Sequence, residues 1–192
     1  MTVVPASSLT RLYLPEHHFS ESHSLLVKAA PGRVLDAAAG YDPAQDGLIR
    51  AFIALRETPA RLLGAIGLSA GLRQRRRFGL SDFTPLGRIG DSELAFGLAG
   101  QFWRADYGLA KLASAEGFAA FAAPRSAKLV LNFTTSPELG AVLLTTQTRI
   151  FCSDEVARRR FLPYWLVIRP VSALIRRRIL ATIRRNAEHL DA

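Results

Sequence analysis

Residues 140–190 read GAVLLTTQTRIFCSDEVARRRFLPYWLVIRPVSALIRRRILATIRRNAEHL, and a change of period inside this stretch decides the fold. From Gly140 to Phe151 the period is two. Val142, Leu144, Thr146, Thr148 and Ile150 share one face, and Thr145, Gln147 and Arg149 share the other, the mark of a strand. Two hydroxyls therefore enter an otherwise apolar face. After Cys152 the spacing becomes helical. Ser153 is the expected N-cap, and Asp154 with Glu155 puts negative charge in the first turn, where the helix dipole favours it. Trp165, Ile168, Ser172, Ile175, Ile179, Ile183 and Leu190 form one stripe, with Arg177, Arg184 and Glu188 opposite. Pro163 and Pro170 each remove a backbone donor, which predicts a kinked helix of two or three segments along a common path.

Upstream, alternation continues. Phe83 to Ile89 and Glu93 to Trp103 read as strands joined by the turn Gly90-Asp91. In the second, Leu94, Phe96 and Leu98 share the face expected to meet the core, and Ala95, Gly97 and Ala99 the other. Asp106 to Pro124 is irregular. Lys128 to Thr135 is a further strand, joined to the last around Ser136-Pro137-Glu138. Nearer the N-terminus, His23 to Ala29 reads as a strand ended by Pro31-Gly32. Val34 to Ala39 and Gly47 to Glu57 read as short helices separated by Tyr41-Asp42-Pro43. Residues 1–21 have no period and are expected as a loosely attached arm before one domain spanning 22–192. Ala60 to Leu72 is an apolar, Gly-containing segment leading into Arg73, Arg75, Arg76 and Arg77.

The order is strand, short helices, antiparallel sheet, long terminal helix, which predicts an α+β domain with the last helix covering the sheet. With 192 residues, half of them hydrophobic, the chain has enough apolar surface for one well-cored domain. No run reaches the ~20 apolar residues a membrane span needs, and the N-terminus lacks the pattern of a secretory signal. Cys152 is the sole cysteine, which excludes an internal disulfide and a cysteine-based zinc site. A cytoplasmic protein is the expectation.

The order of elements resembles the START-like, or SRPBCC, superfamily. The tail resembles an uncharacterised bacterial branch of it, through Thr146-Gln147-Thr148-Arg149, Ala157-Arg158-Arg159-Arg160-Phe161, Tyr164-Trp165, Ile168-Arg169-Pro170, Leu174-Ile175-Arg176 and Ile183-Arg184-Arg185-Asn186-Ala187-Glu188. The resemblance implies a helix-grip fold, a curved antiparallel sheet wrapped around the C-terminal helix. It also implies a cavity that in relatives holds lipids, sterols or polyketides. Some relatives are cyclases or aromatases, but none of their pocket residues is matched here, and fold analogy does not establish chemistry.

Inward strand positions and the inward helix stripe must meet, which names Phe96, Leu98, Phe133, Leu144, Thr146, Thr148, Trp165, Ile168 and Ile175 as the ligand-binding set. The plain alternative is a core filled by these same side chains. Thr146 and Thr148 need partners if buried; backbone is the commonest, water or a ligand oxygen the others.

The net charge of +9 rests almost wholly on arginine, since only Lys28, Lys111 and Lys128 are lysine. Clusters at 73–77, 158–160, 176–178 and 184–185 read first as a solvated surface, second as a transient contact with an anionic membrane. Nucleic acid comes last, for want of any recognition motif. His17, His18, His23 and His189 have no spacing suited to a metal. Gly64, Gly67 and Gly71 are followed by no phosphate-loop lysine, and no nucleophile motif is present. Asp82, Asp91 and Glu93 fall at turns, where carboxylates are normally solvated. The sequence thus predicts binding or carriage of a hydrophobic or amphipathic small molecule, with no cofactor. The alternatives are a cyclase-type enzyme and a regulatory or structural domain acting through its basic surface.

Overall fold

The computed structural model describes residues 8–41, 82–104 and 108–189. The helix expected at 47–57, the apolar segment 60–72, the arginines 73–77 and Leu190 lie outside them.

Five strands form one antiparallel sheet: β1 (Phe19–Val27), β2 (Thr84–Ile89), β3 (Glu93–Gly100), β4 (Ala127–Glu138) and β5 (Ala141–Cys152), in the order β1-β5-β4-β3-β2. Among the described residues the helices are α1 (Ser8–Tyr13), α2 (Pro31–Ala39), α3 (Ala115–Ala120) and α4 (Glu155–Glu188). The fold is therefore α+β, an open five-stranded sheet with a long C-terminal helix on one face. Among the described residues no helix is long and apolar enough to cross a membrane.

Alternation places Leu25, Leu94, Leu131, Phe133 and Leu144 on the face toward α4, the inner face. There they join Val34, Leu35 and Ala38 of α2 and Leu180, Ile183 and Ala187 of α4 in one cluster. A second cluster lies near the start of α4: Leu98, Phe102, Ala127, Ile150 and Cys152 pack on Ala157, Phe161 and Trp165. Phe161 is the hub of its aromatic part, with ring centroids at 5.0 Å from Phe19 and 5.7 Å from both Phe102 and Trp103.

The other face of the sheet is covered too. Leu9 and Leu14, Leu86, Phe118 of α3 and Val130 pack against Ala95 and Ala99. The small residues of β3 are what allow this approach: a Cβ on Gly97 would lie 2.6 Å from Phe118 Cδ2. Residues 8–21, read as a loose arm, are here α1 and the first part of β1. Leu9, Thr10 and Leu14 are buried, and the Leu9 N–H donates to the buried Glu93 carboxylate (3.1 Å). The strand expected from His23 starts at Phe19, and His18 is drawn onto the sheet, its Nδ1 accepting from the Cys152 N–H (3.0 Å) while its ring stacks on Phe151.

Three local expectations change. The β4–β5 turn is Leu139-Gly140, Gly140 taking φ 72, and β4 runs through Pro137. Pro137 is tolerated because β3 pairs with β4 only as far as Thr134, leaving that end of β4 an edge where the missing N–H is not needed. The N-cap of α4 is Asp154, not Ser153. In extended backbone (φ −155) it accepts from the Ala157 N–H (2.7 Å) through one carboxylate oxygen and from the Arg125 N–H (2.6 Å) through the other. Finally, α4 runs for 34 residues through both prolines instead of dividing into segments. Pro163 and Pro170 are exposed, as are Arg159 and Leu166, whose carbonyls lose their usual donors on the water side of the helix.

Candidate functional site

Along the inner face the two apolar clusters do not merge on β1 and β5. Between Leu25 and Phe19 the inward positions of β1 are His23 and Glu21; between Leu144 and Ile150 those of β5 are Thr146 and Thr148. The register pairs His23 with Thr146 and Glu21 with Thr148, so four polar side chains form one island. α4 adds Arg176 and Ser172 above it. Arg176 Nη1 donates to Thr146 Oγ1 (3.1 Å) and Nε to Ser172 Oγ (3.4 Å), while Glu21 Oε1 is bonded to His23 Nε2 (2.7 Å).

Two atoms of this island remain unpartnered among the described residues, Glu21 Oε2 and Thr148 Oγ1, both buried. Burial pulls the Arg176 guanidinium down to about 10, with the Glu21 carboxylate opposing the shift. No carboxylate lies within ion-pair distance of Arg176 among the described residues. The island thus holds a cation, a carboxylate and a free hydroxyl oxygen whose hydrogen-bonding capacity is only partly used, a costly arrangement in a folded interior.

The central-strand side chains paired directly with Thr148 and Thr146, Leu131 and Phe133, are buried, but apolar side chains around them are not fully enclosed. Phe96 of β3, Leu129 of β4, and Ile168 and Ile175 of α4 are each only partly buried, whereas the clusters beyond them contain residues sealed from solvent. At the free edge of the sheet an open groove of about 430 Å³ runs between β1 and α4. Ser20, Glu21, Ser22 and His23 line one side and Arg169, Pro170 and Ala173 the other. Glu21 and His23 therefore belong both to the island and to the groove.

Of the nine residues named from the sequence, Thr146 and Thr148 are in the island. Phe133 and Leu144 belong to the cluster around Ile183, Leu98 and Trp165 to the aromatic cluster, and Phe96, Ile168 and Ile175 to the partly open surface between. Glu21, His23, Ser172, Arg176 and Leu129 were missed. The signal for Glu21 and His23 was present in the alternation Phe19, Glu21, His23, Leu25, Val27, hidden by starting the strand four residues late. Arg176 sits one turn after Ser172, on the border of the stripe, where an arginine reads as solvated.

Burial raises the Cys152 thiol to about 11 despite the opposing influence of Arg158, which disfavours the thiol form, so the thiolate is scarce at neutral pH. No family model, curated protein or solved structure matches this chain.

Proposed function

We propose that this is a helix-grip, START-like domain, its sheet curved around α4, that binds an amphipathic small molecule between the sheet and that helix. The polar end of the ligand sits on Glu21, Thr148 and Arg176, and its apolar body lies against Phe96, Leu129, Ile168 and Ile175. The observation that carries the reading is the island: a hydroxyl and a carboxylate oxygen, both buried without partners among the described residues, set beside inward-facing apolar side chains that are incompletely covered. Buried polar atoms need hydrogen bonds, and an apolar surface with a few convergent polar groups is what small-molecule sites are made of. The strand order β1-β5-β4-β3-β2, with α2 following β1 and the long helix last, supports the fold assignment, and the tail motifs support it independently.

The groove between β1 and α4 is the entry route. On the outer side of α4, Leu166 and Val167 are 64% and 75% exposed among arginines 158–160 and 169, a surface suited to transient contact with an anionic membrane during exchange. This reading suits a cytoplasmic carrier. The Glu21–His23 hydrogen bond favours a second reading, acid–base chemistry on the bound molecule by a cyclase-type enzyme.

Native mass spectrometry of the protein purified from its own host is the test. The expected result is a retained organic molecule that is lost from the Glu21→Leu/Thr148→Val double variant while that variant still folds. No retained molecule, together with no uptake of any offered amphiphile, refutes carriage. Turnover of the retained molecule, abolished by His23→Gln, replaces carriage with catalysis.

A further inference from the structure

The face of the sheet opposite α4 carries a second groove, of about 330 Å³, between the end of α1 and the residues that follow α3. Its floor comes from the register of the central strands: Lys128 of β4 is paired with Phe151 of β5, and both side chains point to the outer face. Tyr13, Leu14 and Pro15 wall it on one side and Phe121 and Ala122 on the other. The lining is mostly apolar, with one cation set in it.

That cation is Lys128. Its Nζ donates to the Ala119 carbonyl (3.0 Å) and lies 4.8 Å from the centre of the Phe118 ring. No carboxylate among the described residues pairs with it, so an ammonium with donors to spare is held half-buried against aromatic carbon. Burial lowers its pKa, in keeping with a charge that water reaches poorly and no acid relieves. A charge-assisted hydrogen bond from an anion would offset that desolvation. Glu16 also lines the groove and is exposed at its rim. Its negative charge disfavours a polyanion there, which argues for a monocarboxylate over a phosphate.

We propose that this outer groove binds a small amphipathic monocarboxylate, its carboxylate on Lys128 and its apolar part between Tyr13, Phe121 and Phe151. The volume lies at the lower end of small-molecule sites, which suits a ligand with a single ring or a short alkyl chain. The site is separated from the inner-face island by the thickness of the sheet and does not depend on the function assigned to the island.

The test titrates isotope-labelled full-length protein with phenylbutyrate and, separately, with its neutral amide, phenylbutanamide, following backbone amide shifts by NMR. The acid should perturb residues around Lys128, Phe121 and Phe151 and bind roughly ten-fold more tightly than the amide, the scale of one hydrogen bond to a charged group. Lys128→Gln should remove that preference and Lys128→Arg restore it, while Phe121→Ala weakens both ligands. Equal affinity for acid and amide, acid binding unchanged in Lys128→Gln, shifts confined to the neighbourhood of Glu21 and Thr148, or no binding at millimolar acid would each overturn the proposal.

Discussion

Thr146 and Thr148 lie two residues apart on the same face of β5, both are buried, and replacing either with valine should move stability in opposite directions. Thr148 is 3% exposed and its Oγ1 has no partner among the described residues. A buried hydroxyl left without a hydrogen bond costs about 1–3 kcal/mol, whereas a methyl of the same shape carries no such penalty. Valine keeps the β-branch that suits a strand, so Thr148→Val should stabilise the ligand-free protein by about 1–2 kcal/mol. For a chain of this size that raises Tm by roughly 2–8 °C. Thr146 differs because its Oγ1 accepts from Arg176 Nη1 (3.1 Å). Thr146→Val would strand a donor of the partly buried Arg176 guanidinium and should destabilise by about 1–3 kcal/mol. Urea denaturation at neutral pH, on protein stripped of small molecules, measures both. A loss of about 1 kcal/mol or more in Thr148→Val, of the kind usual for a buried Thr-to-Val exchange at a satisfied site, would refute the reasoning, because it would mean the hydroxyl already has a partner.

Two other perturbations follow from the packing and the cap. Gly97→Val places a side chain where even a Cβ would come within 2.6 Å of Phe118; chemical denaturation should show a loss of about 1–3 kcal/mol or more, reduced when Phe118→Leu is made in the same chain, and an unchanged midpoint would mean α3 does not hold Phe118 there. Asp154→Ala should lower the urea midpoint at neutral pH. Hydrogen bonds from the Ala157 and Arg125 N–H groups hold the Asp154 carboxyl below its ordinary value, so its contribution is full above the ordinary carboxylate pKa and fades as pH falls through the lower folded one. The midpoints of wild type and variant should therefore converge on acidification; a gap independent of pH would count against the carboxylate as the cap.

Much of the architecture was legible because period is a local property. The alternation of β3, β4 and β5 and the stripe Trp165 to Ile183 each report one face of one element, and the large apolar residues they pick out are those that meet between the sheet and α4. What stayed hidden depends on partners distant in sequence. Ala95, Gly97 and Ala99 read only as the face away from the core, because nothing in their own segment says that Phe118 and Leu9 will cover them. The prolines of α4 were weighed by backbone chemistry alone; their tolerance follows from lying on the solvent side, which only the docking of the helix decides. For the candidate site, Thr146 and Thr148 were visible as hydroxyls in an apolar face, but the island is completed by Glu21, about 125 positions away, and by Arg176 on the helix. An arginine in a run of three reads as surface until the helix is docked.

The placement of the island constrains how a ligand would lie on the proposed reading. β1 is an edge strand, and the polar inward residues around the island fall on it and on its neighbour β5; the inward positions that face them from β4 and β3, Leu129, Leu131, Phe133, Leu94, Phe96 and Leu98, are apolar. Polarity therefore decreases from the free edge inward, in line with the groove that opens between β1 and α4. An amphiphile seated by its polar end at Glu21 and Thr148 has its apolar part directed toward Phe96 and Leu129. The reverse orientation would leave both orphaned oxygens unsatisfied and put a polar group among leucine and phenylalanine side chains. One end of this face is closed by the aromatic cluster around Phe161 and the other by the aliphatic cluster around Ile183, both of which add to the stability of the domain. The partly used polar groups between them lower that stability, and a ligand that satisfied them would recover it, which ties retention of the ligand to the same two oxygens whose removal by Thr148→Val and Glu21→Leu is expected to release it.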